Sequence, residues 1–194
     1  IEKGMHGNKT GKGFYKKVKT DKGKAYHVLN PDTFEYEPQQ DLEDETVAKA
    51  KENYKSIDER LKYLVNQDDR VGQFVWETQR ELMLYAANRL PEISDSVQAV
   101  DRALKWGFNW EMGPFERWDA IGVKEVAERL ENEDREVPQS IYDMLESGRE
   151  AFYDHEEQTF YNLATGEVVD LEPPAKGALQ IRELPELFSN KSAT

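Results

Sequence analysis

The sequence predicts a mainly α-helical protein with two small antiparallel β-hairpin or meander additions, α+β overall. Three observations predict it. Apolar residues recur at helical spacing between about residue 41 and residue 148. Two short stretches flanking that region are rich in Tyr, Val and Thr and are broken by Asp-, Asn- and Gly-containing turns. The run from Asp101 to Gly122, DRALKWGFNWEMGPFERWDAIG, gathers three of the four Trp of the chain around a Gly-Pro step. Such a step ends one helix and starts another.

The opening, GMHGNKTGKGFY from Gly4 to Tyr15, is turn-rich. It fails as a phosphate loop, which needs Gly at His6 and Ser or Thr at Gly13. Phe14 to Val18 and Lys24 to Leu29 read as two strands about the turn Thr20-Asp21-Lys22-Gly23. Asn30-Pro31-Asp32 is a second turn. Thr33 to Tyr36 is a third strand, ended by Glu37-Pro38.

Asp41 to Gln67 is charged and helical, with Val47, Ala50, Tyr54, Ile57, Leu61 and Leu64 in phase and Ser56 as a break and cap. It reads as a solvated linking helix. Asp68 or Asp69 caps the longest helix, from Arg70 to Leu90. Val71, Phe74, Val75, Thr78, Leu82, Tyr85 and Ala86 are its expected buried face and Pro91 its expected stop. Ser94 or Asp95 caps the next helix, whose apolar face carries Val97, Val100 and Leu104.

That helix is expected to end near Trp106, with Gly107 in the left-handed conformation. Gly113-Pro114 opens the following one, because Pro at the first helical position gives up only an N–H that would be unpaired anyway. Glu116 lies in its first turn, where the helix dipole favours an anion. Phe115, Trp118 and Ile121 form its buried stripe and Gly122 stops it. The two helices meet at an elbow, with Phe108, Trp110 and Met112 expected inside. Val123 to Glu131 is a further helix with Val126, Ala127 and Leu130 inward. Pro138 starts the last, with Ile141, Met144 and Leu145 inward and Gly148 beyond its end.

Phe152-Tyr153, Thr159 to Leu163, the turn Ala164-Thr165-Gly166, and Val168 to Leu171 repeat the order of features seen from Phe14 to Pro38. We read an internal repeat with a spacing of about 135 to 138 residues. Some 80 helical residues precede the second copy and almost nothing precedes the first. The chain is therefore expected to begin just after the helices of copy one, in keeping with Ile1 as its first residue. Ala178 to Ile181 reads as one more strand. The expected organisation is 1–40, the end of a first repeat; 41–67, linking helices; 68–148, a helical domain; 149–185, a second β meander; and 186–194, a tail.

With 26 Lys and Arg against 39 Asp and Glu, the formal charge is −13. That argues against a phosphate-backbone partner and against an anionic membrane surface. No apolar run approaches a membrane span and no signal peptide opens the chain. The absence of Cys excludes disulfides and thiolate metal sites and fits a reducing cytoplasm. His6, His27 and His155 have no metal-ligand spacing. Glu111, Glu116 and Asp119 near aromatics suggest a glycosidase-type carboxylate pair, but the helix start already accounts for Glu116 and Asp119. Neither Gly-x-Ser-x-Gly nor Gly-x-Gly-x-x-Gly occurs, so neither a nucleophile elbow nor a Rossmann dinucleotide site is expected within the chain.

The run WGFNWEMGPFERWDAIGV resembles the C-terminal helical domain of the 3-hydroxyacyl-CoA dehydrogenases. Their pattern is roughly Gly-x-Gly-Trp/Tyr-Pro-Met-Gly-Pro-Phe-Glu, then Asp and Gly. Gly107, Trp110, Met112, Gly113, Pro114, Phe115, Glu116, Asp119 and Gly122 match it; Asn109 and Glu111 depart from Gly and Pro. Gly7, Lys9, Thr10, Gly11, Lys12, Gly13, Phe14 and Tyr15 match a run common at the close of the first helical repeat in multifunctional members.

The resemblance implies the C-terminal part of a bacterial multidomain enzyme that oxidises L-3-hydroxyacyl-CoA with NAD in fatty-acid β-oxidation, of a type that can be fused to an enoyl-CoA hydratase module. The NAD-binding Rossmann domain, the catalytic His-Glu pair and the first helical repeat are expected outside this chain, as its partners. No catalytic, cofactor or metal residue is expected within it, and acyl-CoA is met only through the parent enzyme. The family's substrate-contacting Asn lies in a Gly-Phe-x-x-Asn-Arg run. Here the corresponding run is Gly72-Gln73-Phe74-Val75-Trp76-Glu77, with Trp76 standing for the Asn. Trp106, Gly107, Trp110, Met112, Gly113, Pro114, Phe115 and Trp118 are the candidate elbow or cleft-wall residues.

One alternative is a peptide-binding module. TFYNLATGEVVDLEP is similar to the middle and end of a WW domain, which grips Pro-rich peptides between aromatics. That family needs Trp at each end of its sheet, and all four Trp here lie between residues 76 and 118. A free-standing acidic helical protein is the other alternative.

Overall fold

The structure is a computed structural model that describes residues 4–21, 23–40 and 43–173. The strand expected at 178–181 and the tail at 186–194 lie outside the described residues. The chain divides into two compact units, one up to Glu45 and one from Thr46 onward.

The first unit is a three-stranded antiparallel sheet of β1 (Tyr15–Thr20), β2 (Gly23–Leu29) and β3 (Tyr36–Pro38) in that order. The β1–β2 register runs from Tyr15 opposite Val28 to Thr20 opposite Gly23. The third strand begins three residues later than expected. Asn30 Oδ1 accepts from the backbone amides of Asp32 and Thr33 at 2.9 and 3.2 Å. This Asx turn takes Thr33 out of the strand.

The second unit holds α1 (Glu45–Asn53, starting one residue earlier), α2 (Ile57–Val65), α3 (Arg70–Ile93), α4 (Val97–Phe108), α5 (Pro114–Ile121), α6 (Val123–Asn132) and α7 (Gln139–Glu146). A second antiparallel sheet follows: β4 (Tyr153–Asp154), β5 (Thr159–Asn162) and β6 (Glu167–Asp170). One core joins α2 to α7 and this sheet, from Val65 through Leu90, Phe115, Trp118 and Leu130 to Phe152 and Tyr161.

Several elements follow the sequence reading. Ser56 closes a capping box with Glu59 at the start of α2. Asp69 caps α3 by accepting from Gly72 N at 2.8 Å. Val123, Val126, Ala127 and Leu130 bury one face of α6. Ile141 and Met144 bury one face of α7.

Other elements differ from it. The segment read as a solvated linker is packed: Val65 is fully buried, Arg129 Nη1 donates to Val65 O at 2.7 Å, and α2 lies against α3 and α5. On α3, Phe74, Thr78 and Tyr85 are exposed, whereas Trp76, Met83, Leu84, Ala86, Ala87 and Leu90 are buried. Apolar residues occur on more than one side of this helix, so periodicity did not single out the inner face. Pro91 lies inside α3. The helix runs two residues past it, and Ser94 N closes it on Leu90 O at 2.9 Å. The cap of α4 is Ser96, with Ser94 closing α3 instead. Gly107 does not end α4. Helix α4 runs through it to Phe108, and Asn109 takes the left-handed position at φ 56°.

Candidate functional site

The elbow is held by carboxylates. Asp101 projects from the apolar face of α4 toward the first turn of α5. Its Oδ1 accepts from Phe115 N at 2.9 Å, and its Oδ2 accepts from Glu116 N at 3.0 Å and Tyr153 Oη at 2.8 Å. The first four N–H positions of a helix have no partner in its own ladder. Pro114 has no N–H, and Asp101 supplies acceptors for two of the remaining three from a neighbouring helix. Gly113 allows the approach: a Cβ there would lie 2.3 Å from Asp101 Oδ1. Glu116 completes the clamp, accepting from Gly113 N at 2.8 Å and pairing with Lys105 Nζ at 2.6 Å.

Asp119, one turn further along α5, accepts from two successive amides at the start of the second sheet, Phe152 N at 2.7 Å and Tyr153 N at 2.9 Å. That anchors the Phe152 ring edge-on against Phe115 and Trp118, with centroids 5.0 and 5.7 Å away. The elbow is thus filled by the chain's own β4.

Burial pushes the Asp101 carboxyl up to about 7, against the pull of the Phe115 amide and the Tyr153 hydroxyl. Burial likewise pushes Asp119 up to about 7, against the two amides it holds. Tyr153 is raised above the usual phenol range by burial and by the Asp101 charge. Burial lowers Arg117, offset in part by Asp101 and Glu116.

The candidate residues separate into two groups. Met112, Gly113, Pro114, Phe115 and Trp118 are buried at the elbow. Trp110 is half-buried under Arg117, whose guanidinium lies 4.7 Å from its ring centroid and whose Nε donates to Met112 O at 3.0 Å. Trp106 and Gly107 point outward, Trp106 being 77% exposed, and Phe108 is 65% exposed rather than packed inside. Continuing α4 through Gly107 carries these side chains round to solvent.

Trp76 is buried with its Nε1 donating to Glu133 Oε1 at 2.6 Å and the Arg129 guanidinium 3.9 Å above its ring. Arg80 Nη1 pairs with Glu133 Oε2 at 2.7 Å. An open groove lies elsewhere, beside α3 and the loop after α6, lined by Glu81, Leu84, Tyr85, Arg89 and Arg135. Among the described residues no group of three or more His, Asp or Glu is placed to hold a metal ion. No helix among them is long and apolar enough to cross a membrane.

Sequence reasoning missed Asp101, Tyr153 and Glu133. Asp101 did leave a signal: a carboxylate beside Val97, Val100 and Leu104 on a helix face otherwise meant for burial. Tyr153 and Glu133 act across gaps of 52 and 57 residues, to Asp101 and Trp76, and nothing local marks them.

A 3-hydroxyacyl-CoA dehydrogenase, so named with the qualifier "probable", from Bacillus subtilis is 41% identical over 167 residues, 86% of this chain and 20% of that protein. Proteins of Rickettsia felis and Rickettsia prowazekii, named for the trifunctional enzyme of a fatty acid oxidation complex, are 30% and 27% identical over 116 residues, 60% of this chain and 14% of each. The chain spans a fifth or less of the length of these curated relatives. No family model matches the chain. No solved structure matches it. The resemblance carried by the elbow run therefore holds: over most of its length the chain is similar to part of a 3-hydroxyacyl-CoA dehydrogenase.

Proposed function

We propose that the chain is the C-terminal structural and substrate-cleft part of an NAD-dependent 3-hydroxyacyl-CoA dehydrogenase of fatty-acid β-oxidation, without catalytic groups of its own. The observation that carries this reading is the 41% identity over 86% of the chain to a protein of that name. The chemistry of the elbow supports the non-catalytic part of it. Asp101, Glu116 and Asp119 each hold backbone amides. A carboxylate whose lone pairs are already committed to structure is poorly placed to move a proton.

Trp76 supports it further. The position where the family carries its substrate-contacting Asn holds a buried Trp, tied to Glu133 and Arg129. NAD belongs to the parent's Rossmann domain. The sheets described here are both antiparallel and give no βαβ cradle for a pyrophosphate. Acyl-CoA reaches the chain only through the assembled enzyme. The peptide-binding alternative is disfavoured by burial, since Phe160 and Tyr161 lie in the helical core at 4% and 5% exposure.

The test is NADH production from L-3-hydroxybutyryl-CoA. The 194-residue chain is expected to give none, and the full parent polypeptide a robust rate. Turnover by the chain alone would overturn the non-catalytic assignment; an inactive parent would overturn the enzyme class.

A further inference from the structure

The two sheets match at the level of individual hydrogen bonds. Asn162 Oδ1 accepts from Ala164 N and Thr165 N, as Asn30 Oδ1 does from Asp32 N and Thr33 N. Thr165 Oγ1 accepts from Glu167 N, as Thr33 Oγ1 does from Glu35 N. Gly166 and Phe34 both take positive φ, 73° and 60°. Gln39 N bonds Tyr26 O, and Leu171 N bonds Gln158 O. These pairs hold one offset, Asn30 to Asn162. The first strand is offset from Phe14 to Phe152, and Leu29 N to Phe14 O matches Tyr161 N to Phe152 O, both at 2.8 Å.

The surroundings are opposite. Phe152 is fully buried on the elbow, and Tyr153 reaches Asp101 and Asp119. Their counterparts Phe14 and Tyr15 are 81% and 58% exposed. Among the described residues from 4 to 45, only Gly13 is buried. A three-stranded sheet with no buried side chain lacks the apolar face that such a sheet needs for stability. On its outer side β1 carries a bridge from Lys12 to Lys16, and Gly13 N donates to Tyr15 O at 3.0 Å. Among the described residues the Tyr15 N–H on that side has no partner in the sheet. Leu29 N to Phe14 O sets the Tyr15–Val28 pair so that the Tyr15 N–H faces away from β2. Tyr153 N uses that same position to reach Asp119. In an acidic chain this sheet is basic: Lys16, Lys17 and Lys19 lie on β1, and Asp21 is the sole carboxylate between residues 4 and 30.

We propose that the Phe14–Tyr15 edge of the first sheet docks on a second acidic helix elbow, supplied by the first helical repeat of the same natural polypeptide. A carboxylate there accepts from the Phe14 and Tyr15 amides, and an aromatic notch receives the Phe14 ring. The elbow of residues 101–122 cannot serve, because Phe152 and Tyr153 occupy it. This rests on the reading of the chain as part of a longer protein, but not on that protein's chemistry.

The test places the photoreactive residue p-benzoylphenylalanine at position 14 in the full natural polypeptide and maps crosslinks by mass spectrometry. Crosslinks to a helix that starts with Pro-Phe and carries Asp one turn later are expected. Crosslinks confined to residues 46–173, to another copy of residues 1–45, or to lipid overturn the proposal, as does the absence of any crosslink. A second reading uses Phe14→Ser. It should lower the Tm of the full polypeptide by roughly 4 °C or more while leaving that of the 194-residue chain within about 1 °C. Equal effects in the two contexts overturn it. Both readings are independent of NADH production.

Discussion

Asp119 holds the start of β4 through two consecutive amides, Phe152 N at 2.7 Å and Tyr153 N at 2.9 Å. Together with the Tyr153 hydroxyl on Asp101 and the burial of Phe152, Phe160 and Tyr161, this side chain ties the second sheet to the helical core. Asp119→Ala leaves both amides without acceptors in a largely dry site and should cost about 2–5 kcal/mol. The urea midpoint measures it, and loss of Phe152 packing should also change near-UV dichroism. A cost below about 1 kcal/mol would mean that aromatic packing alone holds the sheet.

The glycines of the elbow predict opposite signs. Gly107 is exposed inside α4, and a Cβ there meets nothing within 4 Å. Gly107→Ala should therefore stabilise by about 0.5–1 kcal/mol. Gly113 has no room, because its Cβ would lie 2.3 Å from Asp101 Oδ1. Gly113→Ala should destabilise by about 1–3 kcal/mol through forced separation of α4 and α5. Thermal melts of the two variants decide the matter; were Gly107 the left-handed residue, its variant would lose stability.

Asp101 and Asp119 set a pH dependence. Burial raises both to about 7 in the folded chain, from an ordinary 3.8. Between these values the folded state binds more protons than the unfolded state, so stability falls as pH rises. The contribution is complete below about 4 and gone above about 7. Urea midpoints should decline from pH 5 to pH 7.5 by an amount worth at least ~1 kcal/mol, and Asp101→Asn should flatten the slope. A midpoint that fails to fall across this range would show that neither carboxyl is raised in the folded chain.

Trp76 and Glu133 give an acid-side signal. Burial raises the Glu133 carboxyl, but the hydrogen bonds from Arg80 and Trp76 outweigh it, so the net shift is downward from 4.5. Its stabilisation is complete above 4.5 and fades as pH falls through the lower folded value. Trp fluorescence should report that titration below pH 4.5. Trp76→Phe removes the indole donor and should cost about 1–2 kcal/mol. Unchanged stability would show the Glu133 contact to be incidental.

The sequence by itself determined what is local. Ser56 with Glu59, Pro114 after Gly113, and the Val126–Leu130 face fix helix starts and inner surfaces within a turn or two, because caps and periodicity act over that distance. Likewise Asn30 and Asn162 with their threonines set the same turn twice. It also carried the family likeness, since a contiguous run such as Met112 to Glu116 can be read without a fold. The tertiary structure decided which side of α3 faces inward, because apolar residues on several sides left that to packing against α2 and α5. It decided that α4 passes through Gly107, since the continuing helix needed only one left-handed residue and Asn109 could supply it. And it decided the role of Asp101: a carboxylate becomes the anchor of an elbow only when a second helix and a tyrosine 52 residues away are brought within hydrogen-bond reach.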